Sequence, residues 1–315
     1  VAPDRTMWLY ALVQRMRDCV REAARVSLGP EAELAFALLT GAKDALASGT
    51  EDAFRATGTL HLLAASGLHV GVLASFVSAL WKRTRVPRRM YIWPMGAFFL
   101  LYLILTGFSP PVVRAVLMAS CTLLGRRKGR TPFAPAALGF AFLLMLLLMP
   151  LSITQAGFQM SFVLAFSVIA LAPPMASALV YIRIPRGAAD TLSVALAAQL
   201  GSLPFALFLF GSVSLVSLPM NLLLVPVAGV LLVLVMLTLL VAVIAPPASA
   251  VLGAVCRWAL QLFRAAAEIG ALIPNTQISL PRPPLLAVVG IAGAFLFLSS
   301  FFLGSARRRV ACALL

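Results

Sequence analysis

The sequence predicts an all-α, polytopic integral membrane helical bundle with broken or re-entrant helices, and three observations carry that prediction. Of 315 residues, 62% are apolar and 11% charged, against roughly 25% charged in a soluble domain. From Leu62 onward the chain is a string of apolar runs divided by short basic clusters, and several runs approach the roughly 20 residues that cross a bilayer. Within those runs sit serines, glutamines, prolines and glycines that hydrocarbon gives no reason to keep. The same composition excludes collagen-like, disordered acidic and disulfide-scaffold chains. Cys19, Cys121, Cys256 and Cys312 are scattered without a CxxC spacing and read as apolar structural residues.

Residues 7–26 place Trp8, Leu12, Met16 and Cys19 on one helical face and most charges elsewhere, the pattern of an amphipathic helix at a membrane surface or on the bundle. A second short helix, about 31–40, ends at Gly41 as its C-cap. Apolar spans follow at about 62–80, 92–107, 111–125, 133–149, 156–173, 188–210, 215–245, 248–272 and 285–304. The 215–245 run is long enough for a re-entrant turn plus a span. The expected organisation is therefore an extracytoplasmic amphipathic helical segment over 1–60, a transmembrane domain of about nine spans over 61–309, and the start of a further span over 310–315.

Charge supplies the orientation. Residues 1–60 carry seven basic and eight acidic side chains, while the rest carries eighteen basic residues against Asp190 and Glu268 alone. The net charge of +15 is thus −1 on the first segment and +16 on the membrane part. Lys82 to Arg89, Arg126 to Arg130, Arg183 with Arg186, and Arg307 to Arg309 all fall on one side if nine spans alternate, and the opposite loops hold only Arg282. The positive-inside rule makes that side cytoplasmic, with the N-terminus outside and the C-terminus inside. The chain opens on Val1 without a signal peptide, so preceding sequence is expected to carry it across.

Function is sought where the spans depart from hydrocarbon. The first span contains His61, Ser66, Gly67, His69 and Gly71. In a straight helix the two histidines would stand about 12 Å apart along the axis and about 80° apart around it, which is not metal-ligand geometry. The first six spans hold no carboxylate except Asp190 at an edge, so neither a metal nor another cofactor is expected. Ser66-Gly67 supports two readings: close packing through small residues, or a discontinuous helix whose freed amides face a polar or anionic solute. Arg114 lies one turn inside the third span, where Pro110-Pro111 fixes the helix start; it either snorkels or attracts phosphate in an aqueous path. The fifth span opens with Gln155, Phe158, Gln159 and Ser161. The sixth and seventh carry Gln199, Gly201, Ser202 and Pro204, then Pro219, Asn221 and Pro226, which read as two proline-interrupted helices. HExxH, Walker and GxSxG signatures are absent, and a Ser66/His69 hydrolase would lack a carboxylate to orient the imidazole.

A family resemblance rests on four ordered blocks. FRATGTLHLLAASGLHVG at 54–71 closely resembles the signature of the ComEC competence proteins. GFSPPVVRAVLMA at 107–119 resembles the family's Gly followed by an Arg-Ala pair, GFQMSF at 157–162 its GFQLSF segment, and the run 197–229 its Gln, Leu-Pro, Phe-Gly and Asn-Leu-Leu-Pro block. Met149-Pro150 departs from the family, which commonly has Asp-Pro there.

The resemblance implies the competence domain of a bacterial inner-membrane channel that passes one strand of incoming DNA during natural transformation. It also implies an upstream OB-like domain and a downstream metallo-β-lactamase-like domain, neither of which is in these residues; nuclease activity would belong to the latter and not to this chain. Partners implied are single-stranded DNA, membrane lipid, a DNA receptor and a cytoplasmic motor. The expected path residues are Arg114, His61, Ser66, Gly67, His69, Gln159, Ser161, Gln199 and Asn221, with Phe158, Phe162 and Phe205 offering rings for stacking. A small-solute or lipid transporter and the Ser66/His69 hydrolase are the alternatives.

Overall fold

The structure, a computed structural model, describes residues 7–84, 86–274, 277–279, 281–284 and 290. In chain order the helices are α1 (Met7–Leu28), α2 (Ala32–Thr40), α3 (Ser48–Ala56), α4 (Gly67–Lys82), α5 (Ile92–Leu105), α6 (Pro110–Arg127), α7 (Ala134–Leu148), α8 (Ala156–Tyr181), α9 (Arg186–Phe210), α10 (Ser217–Ile244) and α11 (Pro246–Ala271). A two-stranded antiparallel ribbon pairs β1 (Ser212–Ser214) with β2 (Gln277–Ser279). Two compact units result: Val1–Pro132 with Leu223–Pro274, and Phe133–Leu222 with Asn275–Leu315.

In the first unit α2 is the core. Its sequence, AELAFALLT, is apolar nearly all round, and every residue from Leu34 to Thr40 is buried. Gly41 caps it in the left-handed region at φ 80°, its N–H donating to the Ala37 carbonyl at 2.8 Å. The Tyr102 hydroxyl of α5 donates to the Leu39 carbonyl at 3.0 Å. Helix α11 docks on the N-terminal helices: Phe263 packs on Phe54 with centroids 5.2 Å apart, and Arg264 pairs with the buried Glu31 at 2.9 Å. A Cβ at Gly253 would approach the Ser27 carbonyl oxygen to 2.5 Å. Gly253→Ala is therefore expected to cost about 1–3 kcal/mol, the range for overpacking, and to lower the melting temperature in detergent. An unchanged melt would mean that α11 does not seat on Ser27.

Helix α1 packs on the unit by a face other than its apolar one. Val13, Ala24, Ser27 and Leu28 are buried, whereas Leu12 and Cys19 are exposed. Arginine stems take the packing side: Arg17 Nε donates to the Leu105 carbonyl at 2.9 Å, and Arg21 lies 4.4 Å over the Phe36 ring while pairing with Glu33. Counting apolar residues alone shifts such a face, because the arginine methylenes are apolar too.

The spans divide into two classes. Ala156–Tyr181, Arg186–Leu209, Ser217–Ala242 and Ser249–Ala271 are long and apolar enough to cross a bilayer. Helices α4, α5, α6 and α7 have 16, 14, 18 and 15 residues, about 21–27 Å at 1.5 Å per residue, short of a hydrocarbon core of about 30 Å. The expected first span loses its start, since 60–66 lie outside α4. The expected run 285–304, apart from Gly290, and the tail 310–315 lie outside the described residues.

Two expectations about prolines are overturned. Helix α9 continues through Pro204 and α10 through Pro226, so neither the sixth nor the seventh run is a broken helix, and 215–245 forms no re-entrant turn. An internal proline removes one amide donor, and the neighbouring turns hold the helix. Pro219 falls in the first turn of α10, where its missing N–H costs nothing. The interruption lies between the helices, where Gly211 adopts φ 68° ahead of β1. Helix α8 likewise runs on through Pro173-Pro174, beyond the expected end at 173.

In the second unit α8 and α9 are joined by only four residues, Ile182 to Pro185, and pack tightly. A Cβ at Gly201 would overlap the Ser167 side chain. Small residues thus bring the two backbones together.

Candidate functional site

Four of the predicted residues converge at the start of α4. A short 3-10 helix, Leu60–Leu63, carries His61; the chain is then extended at Ala64 and at Ser66 (φ −140°, ψ 179°), and α4 begins at Gly67. The first span is therefore discontinuous. Serine favours an N-cap position, yet Ser66 makes no capping bond to the backbone. Its Oγ instead lies 2.9 Å from Nδ1 of His69, one turn into the helix. Ser66 therefore does not cap the first amides of α4, at the positive end of the helix.

Arg114 lies against that end. Pro110 and Pro111 start α6 after Ser109, which places Arg114 in its second turn, buried to 9% exposure. A Cβ on Gly67 would come 3.1 Å from Arg114 Nη2, so the guanidinium reaches the helix start because residue 67 has no side chain. Arg114 Nη1 also lies 3.9 Å from Met118 Sδ. The Arg114 side chain is thus enclosed between two helix starts.

The end of α2 backs the break. A Cβ at Gly41 would come 2.5 Å from the Ala65 amide nitrogen, so Gly41 is both the C-cap of α2 and the floor under the break. The Leu38 carbonyl faces the His69 ring. The sequence marks Gly41 as a cap only, because a close approach between residues 24 apart leaves no local signature.

His69 is fully buried, whereas His61 is exposed. The Ser66–His69 distance suits a nucleophile and base, but among the described residues no carboxylate contacts His69, whose Nε2 is buried without a hydrogen-bond partner. Among the described residues no group of three or more His, Cys, Asp or Glu could hold a metal ion.

The remaining predicted residues lie in the second unit. Gln159 Nε2 donates to the Ile153 carbonyl at 2.9 Å, tying the 3-10 turn Pro150–Thr154 to the start of α8. Phe158 is buried, with Phe162 at 4.6 Å and Phe142 at 6.0 Å between ring centroids. Ser161 is buried beside them. Gln199 Nε2 donates to Ser217 Oγ at 2.7 Å, joining α9 to the first residue of α10. Asn221 follows one turn later, its Oδ1 buried. Phe205 lines an apolar cavity of about 240 Å³ with Phe162, Phe166 and Ser167.

Comparison with known proteins covers the break and Arg114. The chain is 36% identical to ComE operon protein 3 of Bacillus subtilis (strain 168) over 190 residues, 57% of this chain and 24% of that protein. It is 37% identical to Competence protein ComA of Neisseria gonorrhoeae over 143 residues, 42% of this chain and 20% of that protein. The matched regions thus span about a quarter or less of either relative's length. No solved structure matches. The family model described as Competence protein matches residues 38–304, most of the chain, and on that match the chain belongs to the Competence protein family.

Proposed function

We propose that the chain forms the membrane channel through which one strand of incoming DNA enters the cytoplasm during natural transformation. The observation that carries this reading is the Arg114 guanidinium held against the positive end of α4 in a member of the Competence family. The guanidinium and the N-terminal end of α4 bring two groups of positive sign to one place, which favours an anion there. A phosphodiester satisfies both, with the guanidinium and the amides of Gly67 and Leu68 as donors. Such contacts read no bases, so transport is indifferent to sequence. Ser66 and His69 hold the break open by bonding each other instead of capping α4.

In this reading His61, Gln159, Ser161, Gln199 and Asn221 supply further polar contacts, and Phe158 with Phe162 shapes the apolar wall. The protein lies in the bacterial inner membrane with its N-terminal helices outside and its basic clusters inside. A DNA receptor delivers the strand, and a cytoplasmic motor or capture of the emerging strand pulls it, since no nucleotide-binding motif lies in the chain.

Proteoliposomes containing the full protein test the reading. Labelled single-stranded DNA should become protected from added nuclease, while duplex DNA of the same length should not. Protection equal to that of protein-free liposomes, together with flux of a small solute, would favour a transporter instead.

A further inference from the structure

The first unit carries a basic surface away from the break. Gly67 meets Arg114 near the starts of α4 and α6, and α5 joins these helices through short connections, so α4 and α6 run the same way. From that contact each helix continues about 20 Å, at 1.5 Å per residue, to a basic end. There Lys82, Arg83, Arg126, Arg127, Lys128 and Arg130 are all exposed. No Asp or Glu occurs between Asp52 and Asp190. Among the described residues, none of these cations enters an ion pair.

Apolar side chains stand beside the cations. Leu80 is 55% exposed, Leu124 48% and Trp93 76%. In a bilayer such side chains lie in hydrocarbon, and Trp and Tyr sit at its edge, which sets the neighbouring guanidinium and ammonium groups at the depth of lipid phosphates. Trp81 and Tyr91 pack on each other beside these cations, with centroids 6.4 Å apart.

We infer that the ends of α4 and α6 form a binding surface for the headgroup phosphates of anionic phospholipids. The surface orders the lipid around the inner end of the first unit and exists whether or not DNA passes by the break.

Tryptophan quenching tests it. The full protein carrying Trp8→Phe and Trp258→Phe keeps Trp81 and Trp93 as reporters within this chain; tryptophans elsewhere in the protein are replaced likewise. It is placed in phosphatidylcholine nanodiscs containing an equal fraction of either brominated phosphatidylglycerol or brominated phosphatidylcholine. Brominated phosphatidylglycerol should quench several-fold more, and the excess should fall as salt rises. Glutamine at the six exposed cations should bring the two lipids to parity, whereas lysine at the four arginines should retain the excess and controls for insertion. Equal quenching by both lipids in the reporter protein, or an excess that survives the glutamine changes, would overturn the assignment. Displacement of the excess by oligothymidylate would also overturn it and give the surface to single-stranded DNA. Should the glutamine protein fail to insert, the salt dependence of the reporter protein still decides.

Discussion

Replacing Arg114 by alanine should cut delivery of transforming DNA to the cytoplasm by about 10- to 100-fold, the equivalent of one hydrogen bond to a charged group at about 1.5–3 kcal/mol, while the protein remains inserted. The guanidinium is 9% exposed and its Nη2 is directed at Gly67, so alanine empties a polar niche without cutting into the core of the unit around α2. Arg114→Lys separates charge from shape. An ammonium preserves the positive potential but not the planar fork that grips a phosphate bidentately, so uptake should recover only in part. The measurement is labelled DNA reaching the cytoplasm, normalised to the amount of protein in the membrane. Unchanged uptake in the alanine variant would remove Arg114 from the path.

Gly41→Ala should have the largest effect on folding. Residue 41 stands at φ 80°, where an L side chain costs about 1–2 kcal/mol. The new Cβ would also lie 2.5 Å from the Ala65 amide nitrogen, a backbone atom that cannot swing aside. Either α2 loses its cap or the break before α4 moves, so both abundance and uptake should fall. Gly41→Asn tells the two causes apart, because asparagine tolerates the left-handed region yet brings the same Cβ. Asparagine should therefore fail nearly as badly as alanine. A normal asparagine variant would show that the close approach to Ala65 is not needed.

These two residues show what was legible in the sequence. Ser66-Gly67 leaves close packing and a discontinuous helix both open in the sequence, and the fold takes the second; Pro110-Pro111 signals where α6 begins, which is local chemistry and appears in the fold. Gly41 is legible as a cap for the same reason, but its contact with Ala65 is tertiary. The prolines mislead in the other direction. Pro204 and Pro226 lie inside continuous helices because a proline cancels only one donor, while Gly211 and β1, with weaker sequence signals, make the interruption. Gln199 reads as a polar anomaly in a span, and its bond to Ser217 gives it a packing partner 18 residues away that periodicity does not reveal. The face by which α1 packs on the unit has no plain apolar signature, because arginine stems make part of it.

Photo-crosslinking tests the claim that DNA passes beside Arg114 most directly. Met118, whose Sδ lies 3.9 Å from Arg114 Nη1, is replaced by p-azidophenylalanine, and Leu147, 78% exposed on α7, provides the control position. Cells taking up labelled DNA are illuminated during transport. A nuclease-resistant adduct of single-stranded DNA should form at position 118 and not at 147, and should be lost with Arg114→Ala. Normal uptake with no adduct at 118, or with equal adducts at both positions, would contradict a strand passing by the start of α4.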